Sequence, residues 1–164
     1  APSLLKKKII NIRTDLKDII AFGGSCDAYQ PIEEDKRITQ KILEILKQYE
    51  WPICLSTKSD LVKRDLPIIE KIGKKTYATV SVSLSTVDPS ISNYFEPHAS
   101  TPEKRLNVIK TINERYPHIN AGINYMPIIP LVEDDYEQLK ETIKKSATAG
   151  ADFILFAPDR KSVV

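Results

Sequence analysis

The stretch Phe22-Gly23-Gly24-Ser25-Cys26-Asp27-Ala28-Tyr29-Gln30-Pro31-Ile32-Glu33-Glu34 concentrates groups suited to holding a polar ligand. Two adjacent glycines let a backbone turn sharply and approach a ligand with no Cβ in the way. Asp27, Tyr29, Gln30 and Glu33 then offer donors and acceptors from a single loop. A second polar cluster, Lys58-Ser59-Asp60, follows the apolar run Ile53-Cys54-Leu55. The Lys58 ammonium suits a ligand carboxylate, and as a free amine it could form a Schiff base with a carbonyl substrate. A third set is the alternation of Ser81, Ser83 and Ser85 with Val80, Val82 and Leu84, which puts hydroxyls on one face of a strand. Each has a plainer explanation: Asp27 caps a turn, Lys58 lays its stem along a strand end, and Ser83 bonds locally.

These residues need elements to position them. Ile19-Ile20-Ala21-Phe22 is a short apolar run of the buried parallel-strand kind, and it empties into the glycine loop. Similar strands are expected at Ile53–Thr57, Tyr77 to about Leu84, His118–Met126 and Ala151–Phe156. Between them lie helical patterns. Ser3 caps a first helix through about Lys17, and Asp35 precedes a helix carrying Ile38, Ile42, Ile45 and Leu46 at helical spacing. A third helix runs from Leu61 to a C′ residue at Gly73, with Pro67 disturbing its middle. A loop containing Asp88-Pro89 leads to Thr101-Pro102, an N-cap with proline at the first helical position, and that helix reaches about Arg115. Asp134 or Asp135 opens the last helix, which stops near Gly150.

The order αβαβαβαβαβ calls for a parallel sheet of about five strands in an α/β fold, either an open doubly wound layer or part of a TIM-like (β/α) barrel. Polar residues cluster after each strand, which favours the barrel, whose ligands sit at the carboxyl ends of its strands. A length of 164 residues with 41% apolar and 28% charged residues suits one domain over residues 1–164. The net charge of +2 demands neither nucleic acid nor an anionic membrane as partner. No apolar run approaches the roughly 18 residues of a membrane span, the N-terminus lacks a signal-peptide core, and the chain reads as cytoplasmic. The two cysteines, Cys26 and Cys54, make neither a disulfide framework nor a metal motif and are expected as small buried hydrophobes. His98 and His118 lack ligand partners at metal spacing, and Lys6-Lys7-Lys8 is expected to be solvated.

Together, Asp27-Ala28-Tyr29-Gln30-Pro31-Ile32-Glu33, Ser56-Thr57-Lys58-Ser59, Lys63-Arg64-Asp65, Ser81-Val82-Ser83, Tyr94-Phe95-Glu96-Pro97, Thr101 to Leu106 and Pro127-Ile128-Ile129-Pro130 carry a resemblance. The chain resembles the spore photoproduct lyase-like, DNA repair photolyase-related branch of the radical S-adenosylmethionine (radical SAM) proteins. The resemblance implies a partial six-stranded barrel of which the five strands here are the second to sixth. It also implies an S-adenosylmethionine cofactor, a 4Fe-4S cluster, and formation of a 5′-deoxyadenosyl radical by the intact enzyme. By resemblance the segment from Gly23 and Gly24 through Asp27 to Tyr29 meets the methionyl ammonium, Lys58 its carboxylate, and Ser83 the ribose. Nucleic acid enters as a partner through the family alone.

The family's cluster is held by three cysteines spaced C-x3-C-x2-C after its first strand, and no such triplet occurs here. The cluster is therefore not expected in this chain, and Gln40 stands where the family usually has arginine. The chain is expected to be the cluster-lacking core portion of such an enzyme, inactive alone, or a degenerate nucleoside-binding module; a Schiff-base barrel enzyme using Lys58 is the third reading. Glu96 and Arg105 are expected to pair with each other. A barrel without its first strand leaves the edge at Ile19 to Gly23 open, so self-association through that edge is expected, or a substitute strand from Lys8 to Ile12.

Overall fold

The computed structural model describes residues 2–11, 18–128 and 135–158. In chain order the elements are α1 (Pro2–Asn11), β1 (Ile20–Phe22), α2 (Glu33–Lys36), α3 (Ile38–Gln48), β2 (Ile53–Thr57), a 3-10 helix (Asp60–Asp65) and α4 (Leu66–Gly73). They continue with β3 (Ala78–Ser83), α5 (Pro89–Phe95), α6 (Pro102–Arg115), β4 (Asn120–Ile128), α7 (Tyr136–Thr148) and β5 (Phe153–Pro158). The strands form one sheet in the order β1-β2-β3-β4-β5, every neighbouring pair parallel. This is the α/β fold of a partial β/α barrel, with the strand order that consecutive helical crossovers produce.

Register sorts the strand residues into two unlike faces. Ile53, Leu55, Val80, Val82, Ala121 and Ile123 lie on one face and are fully or almost fully buried. They pack with Leu43 and Leu46 of α3, Leu66, Ile69 and Ile72 of α4, and Val108, Ile109 and Ile112 of α6. Each such side chain contributes roughly 1.5–3 kcal/mol when fully buried, so this layer holds the helices to the sheet. The opposite face is small and polar, carrying Ser56, Thr79, Ser81, Gly122 and Asn124. Asn124 Nδ2 donates to Ser81 Oγ at 2.9 Å and reaches two strands away to Ser56 Oγ at 2.7 Å. A short amide can span two strands only on a concave surface, so this is the inner face of the barrel segment. Gly122 leaves room there for the Phe153 ring, which a Cβ would meet at 2.2 Å.

Several element boundaries depart from the sequence reading for local reasons. The cap of α3 is not Asp35: Arg37 adopts a left-handed φ of 50° between α2 and α3, and the Glu33 carboxylate accepts the N–H groups of Ile38, Thr39 and Gln40. Pro67 sits in the first turn of α4, where its missing N–H costs nothing, because a separate 3-10 helix precedes it. The expected loop after β3 contains α5, capped by Asp88 Oδ1 accepting from Ser90 and Ile91 N–H, with Pro89 at the first turn. Lys8 to Asn11 are helical rather than a substitute strand, with Ile9 buried and Lys6, Lys7 and Lys8 exposed. Strand β4 starts later than expected, and its pairing with β5 shifts register between Tyr125 and Ile128, around Pro127, which has no N–H to give. Thr101 and Asp135 cap α6 and α7 as expected. The continuation of the first helix to Lys17, the candidate cap Asp134 and residues Ile129 and Pro130 lie outside the described residues.

Gly73 is not a left-handed C′ residue; it is the last residue of α4, and Gly23 and Gly150 are the described glycines with positive φ. Its role is steric, since a Cβ would stand 1.9 Å from the His118 carbonyl oxygen. Alanine normally stabilises a helix by about 1 kcal/mol over glycine. Here the backbone clash reverses the sign, and Gly73→Ala is expected to cost about 1–3 kcal/mol in urea unfolding. A neutral or stabilising Gly73→Ala would show that the approach of the His118 segment is not fixed.

Candidate functional site

The carboxyl ends of β1, β2 and β3 open into a cleft of about 850 Å³, walled by the loop after β1, the start of the 3-10 helix and the segment between α5 and α6. Asp27, Lys58, Asp60, Arg64, Glu96 and Ser100 are among the residues that line it. The first wall is drawn in at Gly23, whose φ is +89° and whose missing Cβ would lie 2.2 Å from the Ser56 carbonyl oxygen. A side chain would strain the backbone and collide with β2, so glycine sets how closely the loop leaves the sheet. Gly24 faces open space, with no heavy atom within 4 Å of the point where a Cβ would stand.

Asp27 clasps this loop to β2. Its Oδ1 accepts from Tyr29 N–H at 2.8 Å and Thr57 Oγ1 at 2.7 Å, and its Oδ2 accepts from the Lys58 N–H at 2.7 Å. Hydrogen bonds to a carboxylate are worth about 1.5–3 kcal/mol each, so the clasp fixes both the loop and the backbone of Lys58. The polar ends of Tyr29 and Glu33 are engaged inside the protein instead of being offered to the cleft as expected, although Tyr29 remains among the residues that line it. Tyr29 is buried, and its hydroxyl donates to Asp65 Oδ2 at 3.1 Å. Burial, and next the Asp65 charge, push that phenol far above its ordinary range. Fully buried Asp65 also accepts from Gln40 Nε2 at 2.6 Å and from Arg64 Nε and Nη2 at 3.0 and 2.9 Å. Arg64 Nη2 reaches Glu33 Oε1 at 3.1 Å, and the hydrogen bond to Asp65 leads the effects that raise the guanidinium above its ordinary range. Buried Asp65, Glu33 and Tyr29 thus join half-buried Arg64 and Gln40 in one framework, of which Arg64 also lines the cleft.

The far wall is organised by Arg105, which is 1% exposed. Its Nε donates to the Ser100 carbonyl, Nη1 to the Ser83 carbonyl and Nη2 to Glu96 Oε2, at 2.7, 2.7 and 2.6 Å. The expected Glu96–Arg105 pair is present, and it has a third member, because Lys58 Nζ donates to the other Glu96 oxygen, Oε1. Burial alone would raise the Glu96 carboxyl, but the Lys58 hydrogen bond and the charge and hydrogen bond of Arg105 outweigh it and hold the carboxyl below its ordinary range. Ser83 is half-buried at the end of β3, in register with Asn124 of β4. Asp27, Lys58 and Ser83 are therefore brought to one edge of the sheet, with Gly23 and Gly24 beside them.

Asn124 is an inner-face residue that the sequence reading missed. The signal was there: Ala121 and Ile123 alternate with Asn120, Gly122 and Asn124, the same period of two that marked the serines of β3. Its Oδ1 is buried without a hydrogen-bond partner among the described residues. Cys26 is exposed in the β1 loop, not buried as expected, while Cys54 is half-buried and desolvation raises its thiol. Among the described residues no group of three His, Cys, Asp or Glu side chains is placed to hold a metal ion. The two cysteines, one on a loop and one within a strand, do not fit a three-thiolate cluster site. Among the described residues no helix is long and apolar enough to cross a membrane.

Residues 2–150 match the Radical SAM superfamily. The chain is 34% identical over 134 residues to an uncharacterised protein of Methanocaldococcus jannaschii, covering 81% of this chain and 46% of that protein. It is 30% identical over 135 residues to an uncharacterised protein of Mycobacterium tuberculosis, covering 82% of this chain and 39% of the relative. A protein of Acidianus two-tailed virus is 29% identical over 137 residues, covering 82% of this chain and 44% of the viral protein. The chain spans less than half the length of these curated relatives.

The lowered Glu96 carboxyl makes stability depend on pH with a definite sign. A group whose pKa falls on folding stabilises fully above its unfolded value, about 4.3 for glutamate, and loses that contribution as pH falls through the folded value. In urea unfolding the wild type should lose more stability between about pH 6 and about pH 3 than Glu96→Gln does. Equal losses in the two proteins would show that Glu96 gains nothing from Lys58 and Arg105.

Proposed function

The chain belongs to the radical SAM superfamily, and we propose that it is the S-adenosylmethionine-binding core portion of a radical SAM enzyme related to spore photoproduct lyase. The superfamily uses S-adenosylmethionine and a 4Fe-4S cluster in general. The observation that carries the reading is that Asp27 and Lys58 line an open cleft at the carboxyl ends of β1 and β2, with Ser83 ending the neighbouring strand β3 on the same edge of the sheet.

The residues present fit the cofactor's polar ends. Backbone carbonyls from Gly23 to Tyr29 suit an ammonium, the Lys58 ammonium suits a carboxylate, and the Ser83 hydroxyl suits a ribose hydroxyl. The Asp27 clasp and the Arg105 cluster hold these groups in place before any ligand arrives, which lowers the ordering cost of binding. In this reading the work of residues 1–164 is to bind and orient the cofactor and to exclude water. The residues present do not fit the cluster, since Cys26 and Cys54 cannot supply three thiolates in one loop. The same reading makes residues 1–164 one domain within a larger barrel, with the outer edge of β1 available for pairing, including self-association. Two cysteines that form no disulfide suit a cytoplasmic setting. The Schiff-base alternative is disfavoured because the Lys58 nitrogen is engaged by Glu96 instead of facing a carbonyl substrate.

The test uses the intact protein, anaerobically reconstituted, reduced and supplied with S-adenosylmethionine, with 5′-deoxyadenosine measured by chromatography. Wild type should form it, Lys58→Met should weaken cofactor binding about 10- to 100-fold, the worth of one charged hydrogen bond, and residues 1–164 alone should form none. An intact protein that neither binds S-adenosylmethionine nor yields 5′-deoxyadenosine would contradict the proposal.

A further inference from the structure

Lys58 is fixed at both ends. Its backbone N–H is held by Asp27 Oδ2 at 2.7 Å, and its ammonium is held by Glu96 Oε1. A lysine side chain otherwise keeps much rotamer freedom, so a defined ammonium position at the mouth of a cleft requires a cause. Glu96 is itself fixed, because its second oxygen is bound at 2.6 Å by Arg105, whose other hydrogen bonds go to the carbonyls of Ser83 and Ser100. The buried guanidinium therefore ties the end of β3 to Glu96, and Glu96 ties the ammonium on β2 to the same point. An ammonium has three N–H donors, and Glu96 takes one. The Lys58 side chain remains 39% exposed and lines the cleft, so two donors are left for a ligand there.

We propose that Glu96, anchored by Arg105, is a positioning residue that holds the Lys58 ammonium as a receptor for one ligand carboxylate. This rests on the reading above, in which Lys58 meets the methionyl carboxylate. Both Glu96 oxygens are already taken, one by Lys58 and one by Arg105, so Glu96 acts through Lys58. The ligand class follows from the donors left over: an amino-acid end with a free carboxylate is bound well, and an otherwise identical molecule without it is bound poorly.

Glu96→Gln separates this role from a purely structural one. The carboxylate presents an oxygen to each cation, whereas the amide has one oxygen and one NH2 group. Buried Arg105 takes the oxygen, since a buried unpaired charge is the costlier fault, and the NH2 group then faces Lys58 and releases it. The fold keeps its buried pair while the ammonium loses its anchor.

The experiment compares, in the intact protein, the affinity for S-adenosylmethionine with that for its decarboxylated analogue. Wild type should prefer the carboxylate-bearing ligand by about tenfold or more, and Lys58→Met should abolish the preference. Glu96→Gln should reduce the preference to within about threefold of Lys58→Met, leave affinity for the analogue within about twofold of wild type, and cause no further loss in the double variant. A Glu96→Gln protein that weakens both ligands equally, or retains the wild-type preference, overturns the proposal. A wild type without preference refutes the reading of Lys58 itself, and the proposal falls with it. Acylation of wild-type lysines, read by mass spectrometry, tests the anchor without any variant having to fold. Lys58 should react more slowly than exposed Lys104, and equal rates overturn the proposal.

Discussion

A guanidinium withdrawn from water has to be met by oxygens, and the cleft side of this sheet is arranged around one that is. Arg105 is 1% exposed, and its neighbours answer with the carbonyls of Ser83 and Ser100 and the carboxylate of Glu96. Breaking a buried pair by removing one partner typically costs about 3–5 kcal/mol, a large share of the roughly 5–15 kcal/mol by which a domain is stable. The end of β3, the segment between α5 and α6, and the first turn of α6 are therefore bound to a common point.

A second charged framework does the same on the opposite wall, where Asp65 and Glu33 surround Arg64 and the Tyr29 hydroxyl. Neither framework reaches the other directly. Lys58 lies between them, its backbone held by Asp27 of the β1 loop and its side chain by Glu96. The Lys58 cation thus stands in an open cleft between two walls, each organised by charged side chains. The inner face adds Ser56, Ser81 and Asn124 below the same edge, so polar groups continue from the rim into the concave side of the sheet.

Much of this was legible in the sequence because it is local. The period of two in β3, the apolar spacing of α3 and the Thr101-Pro102 start of α6 each depend on residues within a few positions, and each element forms. The same cap-and-proline signal at Asp88-Pro89 opens α5, but its seven residues are mostly polar or small and show no apolar stripe to mark a helix. What could not be read was pairing over distance. Tyr29 turns inward because Asp65 lies 36 residues away to receive its hydroxyl, and Lys58 meets Glu96 across 38 residues. Glu33 is drawn from the cleft by the unsatisfied N–H groups of α3 and by Arg64, 31 residues on. Spacing along the chain says nothing about such partners, since they follow from which strands lie side by side. Gly73 is a similar case, its reason being a carbonyl 45 residues later at His118, by the difference of the two numbers.

If the carboxyl ends of β1 to β3 hold the cofactor, a crystal structure of the intact protein with S-adenosylmethionine will show the methionyl carboxylate about 3 Å from Lys58 Nζ, with the ribose at Ser83. The cofactor bound elsewhere, for example in the groove between α6 and α7 near Asn107 and Glu141, would contradict that placement.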